Sequence, residues 1–319
     1  MNDQTSLNPH NLLDRRFTRV SESKAAQSGD AEPKGKHRIN INWKVKSFAF
    51  QWLDTFSLHK TLYFMQRNVT RRSRIDISAG YKNWLVHQNN LAVLERPMVF
   101  EFGAGKHLSQ NIFLSQYFGS QTVVDLFPML NIELVNDAAS QISRRYPSIA
   151  YHAMANISDI ERYYRVRYIA PFDAVKTPFD DNTFDGCVST DTLEHISEDV
   201  IIAIFKELRR IIRPGGLISA VIDYSDHYSY TDRNIGPLNY LQYSADEFRK
   251  YNHNIHYQNR LRHYDYVRIF AELGYKCIKS ETTDIAPSPT RISREFDITE
   301  PSLCALRGIF LLQNTGKGL

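Results

Sequence analysis

Cysteine is scarce in this chain: Cys187, Cys277 and Cys304 are the only three in 319 residues. They lie far apart, with neither zinc-ligand spacing nor the even count of a disulfide framework, so both are excluded and the three read as small buried hydrophobes. Long apolar runs are missing too. None approaches the roughly 20 residues that span a bilayer, and Met1 to Ser6 lack the basic-then-apolar order of a secretory leader. A cytoplasmic protein is the expectation. One-sided charge is also lacking. The formal net charge is +4, and the local clusters Arg71-Arg72-Ser73-Arg74 and Arg209-Arg210 read as solvated helix faces, so no nucleic-acid partner is expected. No internal repeat is found.

What is present starts with the turn. Met98 to Phe102 form a short apolar strand that runs into Gly103-Ala104-Gly105, and a helical pattern follows through Leu108, Ile112 and Phe113. This is the entry of an open α/β sheet, with a ligand expected beyond the carboxyl end of the strand. Glycine suits a backbone that a ligand approaches closely. The third glycine of a dinucleotide fingerprint is replaced by Leu108. Gln121 to Leu126 read as a second buried strand ending at Asp125, where a carboxylate accepts two ribose hydroxyls. Phe184 to Ser189 read as a later strand, and Thr190-Asp-Thr-Leu-Glu-His-Ile196 follows it. Leu208-Arg-Arg-Ile-Ile-Arg-Pro-Gly-Gly-Leu-Ile-Ser-Ala-Val-Ile222 reads as a helix, a turn at Pro214 and its glycines, and a strand.

In order, the Glu101-x-Gly103-x-Gly105 turn, Asp125, the Pro171 to Ser189 segment, the Leu193-Glu194-His195 step and the Arg213-Pro-Gly-Gly216 turn resemble class I S-adenosylmethionine-dependent methyltransferases over about residues 97–222. The resemblance implies a Rossmann-like α/β fold with a seven-stranded sheet of order 3-2-1-4-5-7-6. It implies S-adenosylmethionine as cofactor, held by Glu101, Gly103, Gly105 and Asp125, with Asp173 accepting from the adenine amino group and Ala174 offering backbone. The strand-five continuation looks like methyltransferases of bacterial glycan and polysaccharide biosynthesis, which implies O-methylation of a sugar or glycan precursor. A small aromatic or natural-product acceptor is one alternative. A non-catalytic cofactor-binding subunit is the other. The absence of N-P-P-Y or D-P-P-Y after strand four disfavours methylation of adenine or glutamine amino groups.

Around this core, residues 1–40 form a polar tail that buries too little to fold alone. Residues 41–95 are aromatic with helical spacing and read as an N-terminal helical cap; the aromatics would equally suit peripheral contact with a membrane. The methyltransferase domain spans 96–319. The link from Tyr151 to Pro171 is long enough for an extra helix over Ile157 to Tyr168, and 223–259 reads as a substrate lid. Histidines just past strands four and five are the candidate bases: His227, with Asp223 or Asp226 to orient it, and His195, which helix-start packing explains equally well. Tyr224 and Tyr228 are candidate substrate contacts through their rings. His256, Arg260 and His263 would share one face if they lay on a helix, and would then grip hydroxyls or a phosphate. No metal is expected, the alternative being a magnesium ion on Asp191, Asp223 and His227.

Overall fold

The computed structural model describes residues 40–55, 75–78 and 80–316. The polar tail, apart from Asn40, and the middle of the expected cap at 56–74 lie outside the described residues. Strands β1 (Met98–Phe102), β2 (Ser120–Val124), β3 (Val166–Ile169), β4 (Phe184–Thr190), β5 (Ile212–Asp223), β6 (Tyr275–Ile285) and β7 (Ala305–Asn314) form a seven-stranded sheet. Its order is β3-β2-β1-β4-β5-β7-β6, as expected. The first five pair in parallel, and β7 runs antiparallel between β5 and β6. The central strands are mostly buried because helices cover both faces, as a parallel sheet requires, and they carry a few buried polar residues such as Glu101, Gln121 and Ser189.

Helix α1 (Trp43–Thr55) and α2 (Tyr81–Asn90) precede the sheet, and α3 (Ser109–Leu114), α4 (Ile132–Arg145), α5 (Ile157–Tyr164) and α6 (Glu198–Ile211) flank it. Asn131 caps α4 by accepting from the backbone of Glu133 and Leu134. The apolar stripe of α6, Ile201, Ile204, Phe205, Leu208 and Ile211, is buried on the sheet. The extra helix stops earlier than expected. Arg165 takes a left-handed conformation (φ 55°) that ends α5, and Val166 starts β3 against Gln121. Apolar Val166 and Tyr168 alternate with polar Arg167, and a short run of this kind supports either assignment.

The lid after β5 is built from short pieces: 3-10 turns at His227–Tyr230, Asn239–Gln242 and Asn254–His256, with α7 (Ala245–Arg249) among them. The next helix, α8 (His263–Glu272), begins only at His263, so His256, Arg260 and His263 share no helix face. Within the expected cap, α1 packs on the lid and α2 packs on the sheet through His87 and Asn90, which meet Ser219 of β5. Trp43 sits 4.6–5.7 Å from the rings of Tyr228, Tyr243 and Tyr251, and its backbone N–H donates to Asp232 at 2.9 Å. Its outward side carries Val45 and Phe48. No described helix is long and apolar enough to cross a membrane.

Candidate active site

At the carboxyl end of β1 the chain turns through Gly103 (φ 76°) and Gly105 (φ 73°) and enters α3 through a left-handed Leu108 (φ 48°). The two glycines serve different ends. A Cβ at Gly103 would stand 2.3 Å from Thr192 Cγ2, so this glycine admits the protein's own turn after β4. A Cβ at Gly105 would meet nothing within 4 Å; that side is open. Room for the expected close approach of a ligand exists at Gly105 and not at Gly103. Behind the turn, Glu101 is buried and accepts from Gln110 Nε2 at 3.0 Å and Asn111 Nδ2 at 2.5 Å. Burial pushes its carboxyl up to about 8 against the pull of these amides.

Asp125 follows β2 immediately. Its Oδ1 accepts from the Gly105 N–H at 3.3 Å, Oδ2 is buried without an aligned partner, and the Tyr168 hydroxyl stands close by. Burial pushes this carboxyl up to about 6. Asp173 is exposed, and its Oδ1 accepts from Val175 N–H at 2.9 Å in a local turn. The turn is tied to Asp125 through the Phe172 N–H, which donates to the Asp125 carbonyl at 2.9 Å. The side chain of Ala174 is buried in the core. A cavity of about 340 Å³ opens in front of β1 and β4, lined by Glu101, Gly103, Thr190 and Asp191 and roofed by Asn83 and Trp84 of α2.

Beyond β4 the chain passes Asp191 (φ 47°) into a 3-10 turn, Leu193–His195. Glu194 is 2% exposed with neither carboxylate oxygen holding an aligned partner, and burial pushes it well above the usual range. His195 Nδ1 faces the Tyr257 carbonyl at 3.0 Å. The His227 ring lies 4.8 Å from that of His195 and stacks on Tyr230 at 5.1 Å. The sequence leaves open which aspartate faces His227. It is Asp223, whose Oδ2 stands 3.4 Å from His227 Nε2, an ion-pair distance without hydrogen-bond alignment. Burial raises the Asp223 carboxyl, but His227, the Tyr230 hydroxyl and Ser225 outweigh it and bring it down to about 2. Asp226 accepts from Tyr228 N–H and Asn239 Nδ2 and holds the lid.

The remaining predicted contacts are occupied within the protein. The Tyr224 hydroxyl meets His263 Nδ1 at 3.1 Å, and His263 Nε2 meets Ser280 Oγ at 2.8 Å while its ring stacks on Phe310. The Tyr228 hydroxyl donates to the Tyr251 carbonyl at 2.6 Å. Arg260 pairs with Glu295 at 2.9 Å and lies over the rings of Phe248 and Phe296. The polar atoms of these four residues already have partners within the protein. His256 remains near the site, its ring 6.2 Å from that of His227 and its Nε2 buried without a partner.

Sequence reasoning missed the polar seam of α2. His87 is fully buried between Ser219 Oγ (2.8 Å) and Thr190 Oγ1 (2.7 Å), and burial lowers it to about 3, so it is neutral. Asn90 donates to Ser219, and Asn83 accepts from Arg307, which stands 3.5 Å from Asp191. The signal was there: Asn83, His87 and Asn90 fall at helical spacing on the face that α2 buries.

Residues 148–220 match a family model described as a methyltransferase domain. No curated protein sequence matches the chain. Similar solved structures include the methyltransferase in a complex with the Trm112 activator from Haloferax volcanii (16% identity, 83% of this chain and 97% of that one, TM-score 0.43). A methyltransferase from Bacillus halodurans is 14% identical over 73% and 99%, with a TM-score of 0.43. The 1,6-didemethyltoxoflavin-N1-methyltransferase of Burkholderia thailandensis, with S-adenosylhomocysteine bound, is 14% identical over 86% and 92%, also at 0.43. The residues fit the cofactor: Asp125 Oδ2 is a buried acceptor with no aligned donor, a place that ribose hydroxyls would fill, and Gly105 leaves one side open. The sheet order is that of the class I methyltransferase fold, and residues 148–220 within it match a methyltransferase domain that uses S-adenosylmethionine.

Proposed function

We propose that this enzyme methylates a hydroxyl oxygen, and that the acceptor is a sugar or glycan precursor. The observation that carries the reading is the polar character of the acceptor side. His195, His227 and Asp223 converge beyond β4 and β5, with Asp191 and Arg307 at the edge of the cavity. A polyol offers many hydroxyls to such a wall, whereas an aromatic acceptor calls for apolar faces. Asp125, Glu101 and the Gly103–Gly105 turn hold the cofactor, with Asp173 and the Ala174 backbone at the adenine end. The bound cofactor supplies an electrophilic methyl group. The protein aligns the hydroxyl oxygen within about 3–3.5 Å of it, and the lid keeps water out. His227, backed by Asp223, takes the hydroxyl proton; His195 borders the same space. Transfer of labelled methyl to a panel of sugars and nucleotide sugars, with phenolic acceptors alongside, tests the reading. Label on phenols alone would overturn the sugar assignment.

Cofactor affinity should follow the ionisation of Asp125. Its carboxyl stands at about 6 in the free protein, and only the carboxylate accepts two hydroxyl donors. S-adenosylhomocysteine should therefore bind best above pH 6 and lose affinity as the pH falls, by about tenfold per unit well below the free-state value. Asp125→Ala should bind about 10–100-fold more weakly and flatten this profile. Calorimetry from pH 4.5 to 8 checks both. Equal affinity of wild type and variant would remove Asp125 from the ribose.

A further inference from the structure

On the acceptor side, donors gather that a proton acceptor alone does not require. Glu194, His195 and His227 each present one ligand atom, and these three atoms lie within 4.8 Å of one another. Glu194 is 2% exposed, and neither of its oxygens has an aligned partner; only the backbone N–H groups of Glu194 and Asp223 stand near, whereas side-chain amides of Gln110 and Asn111 satisfy the buried Glu101. A buried carboxylate left bare is costly to the fold unless something binds it. The Tyr257 carbonyl opposite His195 Nδ1 can only accept, so that nitrogen carries the proton and the Nε2 lone pair is left for a ligand. This orientation of an imidazole by a carbonyl behind it is usual for metal-ligating histidines. Nε2 of His227 has no aligned hydrogen-bond partner, and Asp223 adds a second carboxylate at 3.4 Å.

We propose that Glu194, His195 and His227 bind a divalent transition-metal cation, with Asp223 beside it. The set differs from Asp191, Asp223 and His227: Asp191 faces Arg307 at 3.5 Å and Asn83 at 3.4 Å. Two imidazoles and a carboxylate suit manganese, iron, cobalt or zinc better than magnesium or calcium, which favour oxygen ligands alone. The side chain of His195 is exposed, so the site has a way in from solvent and room for an acceptor oxygen. This inference rests on the reading of the site as the place where a hydroxyl is methylated. A cation there lowers the pKa of a coordinated hydroxyl, whose O–H bond breaks with the proton passing to water. His227 is then a ligand in the loaded protein and the proton acceptor in the metal-free one.

The test uses the full chain, stripped with a chelator and titrated with MnCl₂. Electron paramagnetic resonance follows free manganese, and electron spin echo modulation reads nitrogen ligands. One ion per chain with nitrogen coupling is expected, and manganese should raise the melting temperature. Glu194→Gln should weaken binding at least about tenfold. His195→Ala, a change at an exposed position, should remove part of the nitrogen coupling. S-adenosylhomocysteine calorimetry accompanies each protein. No manganese binding at millimolar concentration, oxygen ligands only, or unchanged affinity in both variants overturns the site while intact cofactor binding leaves the methyltransferase reading standing. Manganese binding without cofactor binding does the reverse.

Discussion

Replacing His227 by alanine should lower the single-turnover rate of methyl transfer by about 10²–10⁴-fold, the usual contribution of a positioned acid–base group. S-adenosylhomocysteine affinity should change little. The ring is not among the cavity-lining residues in front of β1. It packs between His195 and Tyr230, with Asp223 at its Nε2. Removing it leaves Glu101, Gly105 and Asp125, the proposed cofactor cradle, untouched. The loss should therefore fall on the rate at saturating cofactor rather than on cofactor binding. His195→Ala is the comparison. If His195→Ala abolishes turnover and His227→Ala leaves it at the wild-type level, the proton leaves through His195. A wild-type rate in both would mean that transfer needs alignment alone.

The second large effect concerns stability. Arg262 is fully buried, and its guanidinium donates to the carbonyls of Tyr224 (3.0 Å), Leu303 (2.7 Å) and Ala305 and to the Tyr240 hydroxyl. One side chain thus joins the exit of β5, the lid and the entry to β7. Arg262→Ala should cost about 3–5 kcal/mol, because it opens a cavity and strands three buried carbonyls. The melting temperature should fall by on the order of 10 °C. Arg262→Lys should recover only part of this, since an ammonium cannot span the fork. A calorimetric scan showing Arg262→Ala within a degree of wild type would mean that water replaces the guanidinium.

Arg262 also shows where sequence reading ended. Strands β1, β2 and β4 were legible as short apolar runs, whereas β3 was read as the end of a helix; the sheet order came from the resemblance carried by the Gly103–Gly105 and Pro214–Gly216 segments. The position of Asp125 at a strand end was legible, and the structure places it directly after β2. The lid was not. Its residues carry no period, so nothing distinguishes Arg260, which pairs with Glu295 near the surface, from Arg262, which is sealed inside. For the same reason the interior partners of Tyr224, Tyr228 and His263 were hidden: they come from Tyr251, Ser280 and Phe310, distant in the chain. Glu194 was passed over as half of a common Glu-His step, because burial without an aligned partner is a property only three dimensions reveal.

The turn from Thr190 to His195 borders both halves of the site. Thr192 Oγ1 donates to the Gly103 carbonyl at 3.3 Å, and two residues later Glu194 and His195 face His227. With a single short segment as common wall, any shift that one ligand imposes on it is felt by the other. Their binding free energies are then linked reciprocally: whatever factor the cofactor applies to acceptor-side affinity, the acceptor-side ligand returns to the cofactor. Any order of addition would then rest on the six residues of this one turn.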